Sequence, residues 1–155
     1  MKAIKKGIFS NRVSLRDDEQ EVGELAMKWF GEEGELTVDG VGFELYRERA
    51  FSGSFVMARG EEMFAEASKP SAWRSTFEIT FGDTTCVMKK KGAFSSKFVL
   101  EYRGEEIGRI TRKGVFSQVM SVEVPEGWPR ALQAFLLWLA LIVWRREANA
   151  AATGG

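Results

Sequence analysis

Along most of the chain, apolar residues fall on every second position. "STFEITF" (75–81) puts Phe77, Ile79 and Phe81 on one side of an extended chain, and "KFVLEY" (97–102) does the same with Phe98, Leu100 and Tyr102. "ELTV" (35–38) and "SVEV" (121–124) alternate alike. A period of two marks strands buried on one face. Between these runs stand turn residues: Asp39-Gly40, Arg59-Gly60-Glu61, Gly82-Asp83 and Arg103-Gly104, with the acidic "DDEQ" (17–20) as the least regular member. The pattern predicts a series of antiparallel hairpins.

The hairpins are copies of one another. "KGIFS" (6–10), "KGAFS" (91–95) and "KGVFS" (113–117) repeat, and "AFSGSFVMARGEE" (50–62) aligns with "AFSSKFVLEYRGEE" (93–106) with one gap. Anchored on a basic residue that precedes an aromatic, the units begin at Lys6, Lys28, Arg49, Lys69, Lys91 and Lys113. Phe9, Trp29, Phe51, Trp73, Phe94 and Phe116 follow within four residues, and Gly40, Gly60, Gly82 and Gly104 stand nine residues before the last four anchors. A repeat of about 22 residues with a turn in its middle is a two-stranded unit. Six units give about twelve strands of about eight residues each. The Lys-Gly-x-Phe-Ser element is expected at a hairpin corner, with its Phe starting the next strand and facing the core.

After Pro125 the pattern changes. From Ala131 to Trp144 only Gln133 is polar, Pro129 suits a first helical turn, and Arg145-Arg146 suit a C-terminal end. A helix apolar on every side must be buried on every side, in a bilayer or in a protein. Fourteen residues span about 21 Å, short of a hydrocarbon core of about 30 Å. Twelve strands closed into a barrel enclose a bore of about the width of a helix. The expected architecture is therefore mainly β: a twelve-stranded antiparallel closed barrel with a hydrophobic helix (about 130–147) through its centre. Residues 1–147 form one domain and 148–155 a disordered tail. The competing arrangement is a tail-anchored protein whose helix inserts in the bilayer, with Trp128 and Arg145-Arg146 as interfacial anchors.

Composition narrows the chemistry. The 155 residues hold no histidine and one cysteine, Cys86. The usual general base and the commonest metal ligand are thus missing, and no internal disulfide can form. The first 25 residues contain no apolar run, so a secretory signal is not expected, and a reducing, cytoplasmic setting is. No nucleophile–base pair, metal cluster or phosphate loop stands out, so the expectation is a protein that is not an enzyme and needs no cofactor. The formal charge is zero, with 22 residues of each sign, which gives nucleic-acid binding no support. The charges are nevertheless uneven: residues 17–66 hold 14 acidic and 4 basic side chains, and residues 85–117 hold 8 basic and 3 acidic.

The repeat and the helix after "GWP", with "FSGSFVMARGEEMFAEASK" and "CVMKKKGAFSSKFVLEYRGEEIGRITRKGVFS", resemble the tubby C-terminal-like superfamily. That group includes tubby domains, phospholipid scramblases and LURP-one-related proteins, and the chain is most similar to the compact LURP-one-like and scramblase-like members. The resemblance implies a lipid-related role, since tubby domains bind phosphoinositides through basic side chains and scramblases are associated with lipid transport. No tubby lipid-binding residue can be carried onto a position here. A scramblase-like calcium segment before the helix is not matched either, because "SVEVPEGW" offers only Glu123 and Glu126. From the residues themselves, Lys89, Lys90, Lys91, Arg112 and Lys113 are the candidate lipid-binding set, since anchors one repeat apart should bring two basic corners together. Such a patch suits anionic phospholipid, a membrane surface or an acidic partner; two solvated corners facing the acidic N-terminal strands would look the same. A monomer, cytoplasmic and peripheral to membrane, is expected.

Overall fold

The computed structural model describes residues 1–7, 10–48, 53–69, 75–92, 95–114 and 118–154. Among them are twelve strands: β1 (Lys2–Lys5), β2 (Arg12–Asp17), β3 (Gln20–Met27), β4 (Gly34–Val38), β5 (Val41–Arg47), β6 (Phe55–Arg59), β7 (Glu62–Ser68), β8 (Thr76–Phe81), β9 (Thr84–Lys90), β10 (Phe98–Tyr102), β11 (Glu105–Arg112) and β12 (Val119–Glu123). One helix, α1 (Arg130–Thr153), follows. Each strand pairs antiparallel with its neighbours in the chain, and β1 closes onto β12 with Lys2 opposite Ser121 and Ala3 opposite Met120. The expected twelve-stranded closed barrel is the observed fold.

Alternation explains the wall. Leu36 and Val38, Phe43 and Leu45, Phe77 and Ile79, Cys86 and Met88, and Met120 and Val122 all point inward and are buried. The residues between them mostly face out, as the pleat requires. At the turns, Asp39-Gly40 and Arg103-Gly104 have positive φ at both central positions, the geometry that lets a two-residue turn follow the twist of the strands. Asp18 takes the same backbone region in the acidic turn.

Because strands alternate in direction, the connections sort by length onto opposite rims. The short turns joining β2–β3, β4–β5, β6–β7, β8–β9 and β10–β11 form a turn rim, and α1 enters there. The longer connections after β1, β3, β5, β7, β9 and β11 form a loop rim. Lys6, Lys28, Lys69, Lys91 and Lys113 are each the first residue after an odd-numbered strand, which is why the anchors repeat.

A second period overlies the first. The ladder slips after Leu15, Met57 and Leu100, leaving Val22, Phe64 and Ile107 as the extra residues of bulges on β3, β7 and β11. Every second hairpin thus carries a bulge, which raises the local twist and helps to curl the sheet closed. Beside two of these bulges the backbones crowd. A Cβ on Gly23 would lie 2.2 Å from the Thr37 carbonyl oxygen, and one on Gly108 would lie 2.3 Å from that of Glu123.

The helix threads the barrel. Ala134 to Ala140 are all fully buried, seven consecutive residues and hence every face. Trp138 meets Phe55 and Phe135 with ring centroids 5.7 and 5.8 Å away, and Phe55 in turn meets Phe77. At the turn rim Arg130 spans two connections, bonding Asp17 (2.5 Å) and Asp39 (2.7 Å). At the loop rim the β3–β4 connection folds in over the helix. The Trp138 indole N–H donates to the Glu32 carbonyl (2.8 Å), Arg145 donates to the Lys28 and Gly31 carbonyls, and Arg146 forks onto the Glu32 carboxylate (2.6 and 2.8 Å).

Two details differ from expectation. Strands run from four to eight residues, since the corners take up more chain than a tight turn. The helix continues through 148–153, where a disordered tail is expected, because "ANAAAT" is rich in the best helix former. Trp29 (64 % exposed) and Phe30 (96 %) lie in the middle of the β3–β4 connection, which turns them to solvent. Phe9, Phe51, Trp73, Phe94 and Phe116 lie outside the described residues.

Trp138→Ala should cost about 3–5 kcal/mol in urea unfolding, since it empties the middle of the barrel. Gly108→Ala should cost about 2 kcal/mol or more, whereas Gly42→Ala, with open space around it, should stay within about 0.5 kcal/mol.

Candidate functional site

The odd-numbered strands end at the loop rim in a shared way. Ala3, Leu45, Ala67, Met88 and Ile110 point inward and are buried. Two residues further on, at the same parity of the pleat, stand Lys5, Arg47, Lys69, Lys90 and Arg112. Five of six odd strands therefore finish with a cation on the register that faces the bore. Arg145 and Arg146 add two more from the helix. The barrel mouth is ringed with positive charge.

The ring is neutralised unevenly. On one side the Glu32 carboxylate, delivered by the folded-in connection, takes the Arg146 fork, and Lys69 lies close enough to feel it. Burial, with Arg146 and Arg47 near by, still holds the Lys69 ammonium below its ordinary range. On the other side Lys90 pairs with Glu147 of the helix, while Lys5, Arg112 and Arg145 crowd together. Burial first, and then the charges of Arg145 and Arg112, hold Lys5 below its ordinary value of 10.5. Burial lowers Arg112 and Arg145 as well.

These groups line a cleft of about 770 Å³ between β1, β2, β11, β12 and the last turns of α1. Its floor is apolar, built from Val13, Met27, Met120, Leu141 and Trp144, all buried. The Arg112 guanidinium lies over the Trp144 ring, 4.6 Å from its centroid. Arg112 Nε and Trp144 Nε1 are buried and donate to nothing among the described residues. Unsatisfied buried donors are costly and rare, so two in one cleft are informative. The size is that of a small-molecule site.

The sequence-derived candidates divide between three settings. Lys90 and Arg112 turn into the mouth, Lys89 turns outward against Glu101 (2.8 Å), and Lys91 and Lys113 sit exposed on the corners. The ladders put the two corners at the same rim, on either side of β10. Lys5 and Arg145 were not among the candidates, because positions 5, 112 and 145 come together only through barrel closure and helix threading. The readable signal was parity: a basic residue two positions after a buried apolar one at the end of a strand. Among the described residues no three His, Cys, Asp or Glu side chains are grouped to hold a metal ion. Cys86 is buried in the wall, and burial pushes its thiol up to about 11, which leaves it a poor nucleophile.

Since folding lowers the affinity of Lys5 for its proton, the unfolded state binds more protons in the window below 10.5, and stability should rise with pH through it. Below that window the penalty of burying the charge, and with it the repulsion from Arg145 and Arg112, is fully present, so Lys5→Met should raise the thermal midpoint at neutral pH. Searches of protein-family models, curated proteins and solved structures return no match for this chain.

Proposed function

We propose that the protein is a non-enzymatic module that docks peripherally on anionic membrane lipid, with its loop rim against the headgroups. The observation that carries this reading is the polarity of the barrel along its axis. The short turns hold Asp18, Glu19, Asp39, Glu61 and Asp83 against Arg103, whereas the long connections hold Lys6, Lys28, Lys69, Lys91, Lys97 and Lys113 against Glu32, Glu33 and Glu48. Cations attract the rim to phosphate-rich surfaces, and Trp29 and Phe30 stand exposed on the same rim, the residue types that settle at a membrane interface. Each of the six long connections also has an aromatic residue in its sequence.

The closed barrel with its threaded helix supports the tubby-like resemblance, and a lipid-related role is in keeping with it. The anionic cytoplasmic leaflet is the natural surface for such a module. The tail-anchored alternative is less favourable, because its helix already fills the barrel and no described helix is long and apolar enough to cross a membrane.

In vesicle co-sedimentation the full chain should bind phosphatidylserine-containing vesicles, bind phosphatidylcholine vesicles poorly, and dissociate with added salt. A Trp29→Ser/Phe30→Ser variant should bind about tenfold more weakly or worse. Equal binding to neutral vesicles, or salt-insensitive binding, would remove the proposal.

A further inference from the structure

We infer that the cleft beside Trp144 is a binding site for the anionic head of an amphiphile, a phosphate or carboxylate carried on an apolar chain. The barrel itself supplies the comparison. Around half of the mouth, the cations gather on an internal anion, the Glu32 carboxylate, which Arg146 grips with two hydrogen bonds. Around the other half, Lys5, Arg112 and Arg145 converge with no carboxylate gripping them among the described residues; Glu147 reaches Arg112, and Glu32 reaches Arg145, only through the field of the charge. Glu147 is the only carboxylate among the described lining residues, and Lys90 is its ion-pair partner. A ligand anion would stand there as Glu32 stands opposite.

Trp144 is only 3 % exposed, yet among the described residues its indole N–H has no acceptor, and the neighbouring Arg112 Nε has none either. An oxyanion beside Lys5, Arg112 and Arg145 would relieve the mutual repulsion of the three cations, and a small shift of the covered Arg112 Nε–H and Trp144 indole N–H would give them an acceptor. Charge alone would suit inorganic phosphate, but the floor argues for more. Val13, Met27, Met120 and Leu141 line the cleft with apolar side chains, and an alkyl chain laid against them leaves water, which stabilises the complex in proportion to the area of the chain covered. Burial of repelling cations over an apolar floor disfavours the empty state, a cost that sites kept for a ligand accept.

This deepens the membrane-docking reading but uses different side chains, so the two can fail separately. The head could belong to a bilayer lipid or to a free single-chain amphiphile, and the arms of the test separate these sources. The full chain is titrated by calorimetry with dodecyl phosphate below its micelle concentration, beside inorganic phosphate, dodecyl maltoside and dodecyltrimethylammonium. Dodecyl phosphate should bind with one site, at least tenfold more tightly than any of the other three, and should raise the thermal midpoint. Lys5→Met and Arg112→Gln should each weaken it tenfold or more and Trp144→Phe several-fold, while Lys89→Gln, on the outer face, should leave it unchanged. Should Arg112→Gln not fold, Lys5→Met decides alone, since it is expected to fold more stably and bind more weakly at once. Absent binding, equal binding of the maltoside, or binding unchanged in Lys5→Met would overturn the inference. Soluble amphiphile binding without vesicle binding would support the cleft and sink the docking proposal; vesicle binding without amphiphile binding would do the reverse.

Discussion

Everything in this molecule follows from a helix that has no polar face. From Leu132 to Trp144 only Gln133 departs from apolar character, and no exposed arrangement of that segment is tolerable in water. The barrel is the answer to it. A sheet of twelve strands closed on itself has no edges to protect, but its bore is too wide for wall side chains to fill alone. The helix and the wall complete each other: one lacks a surface, the other lacks a centre. Trp138, Phe55, Phe77 and Phe135 form the aromatic contact by which the two recognise each other.

Threading creates two unlike rims. At the turn rim the helix enters with Arg130, and the carboxylates of Asp17 and Asp39 receive it. At the loop rim it leaves with Arg145 and Arg146 among strand ends that are themselves basic. The strand-end cations sit on the inward register, so the apolar lining of the bore gives way abruptly to charge at the mouth. A meander sends every second connection to the same rim, so a modest preference for lysine after odd strands becomes a polarised molecule of zero formal charge.

Much of this was legible in the sequence. Period-two alternation, turn glycines at a fixed offset and a wholly apolar terminal segment each report local physics, and together they specify the barrel and its plug. The rims were less legible. Nothing local in "KWF" (28–30) says that the β3–β4 connection is long enough to turn Trp29 and Phe30 outward. Charge was read along the chain as an acidic N-terminal part and a basic C-terminal part, whereas folding redistributes it along the barrel axis. Anchors one repeat apart do bring two basic corners to one rim, yet adjacency in a strand sends neighbours to opposite faces, and Lys89 and Lys90 part company accordingly. Lys5 and Arg145, which share the cleft with Arg112, are distant in the chain, and no local pattern joins them.

Closure of the wall has a kinetic corollary. Ala3 in β1 finds its second neighbour, Met120, only after ten further strands have been laid down, and the helix that fills the bore comes later still. Until then a growing meander holds two raw edges and an unfilled apolar concavity, the kind of surface that sticks to other chains. Pairings of high sequence separation also close slowly. The repeated hairpins offset this by making each successive strand pair local, so that only the seam and the plug are left to the end, and both must arrive together.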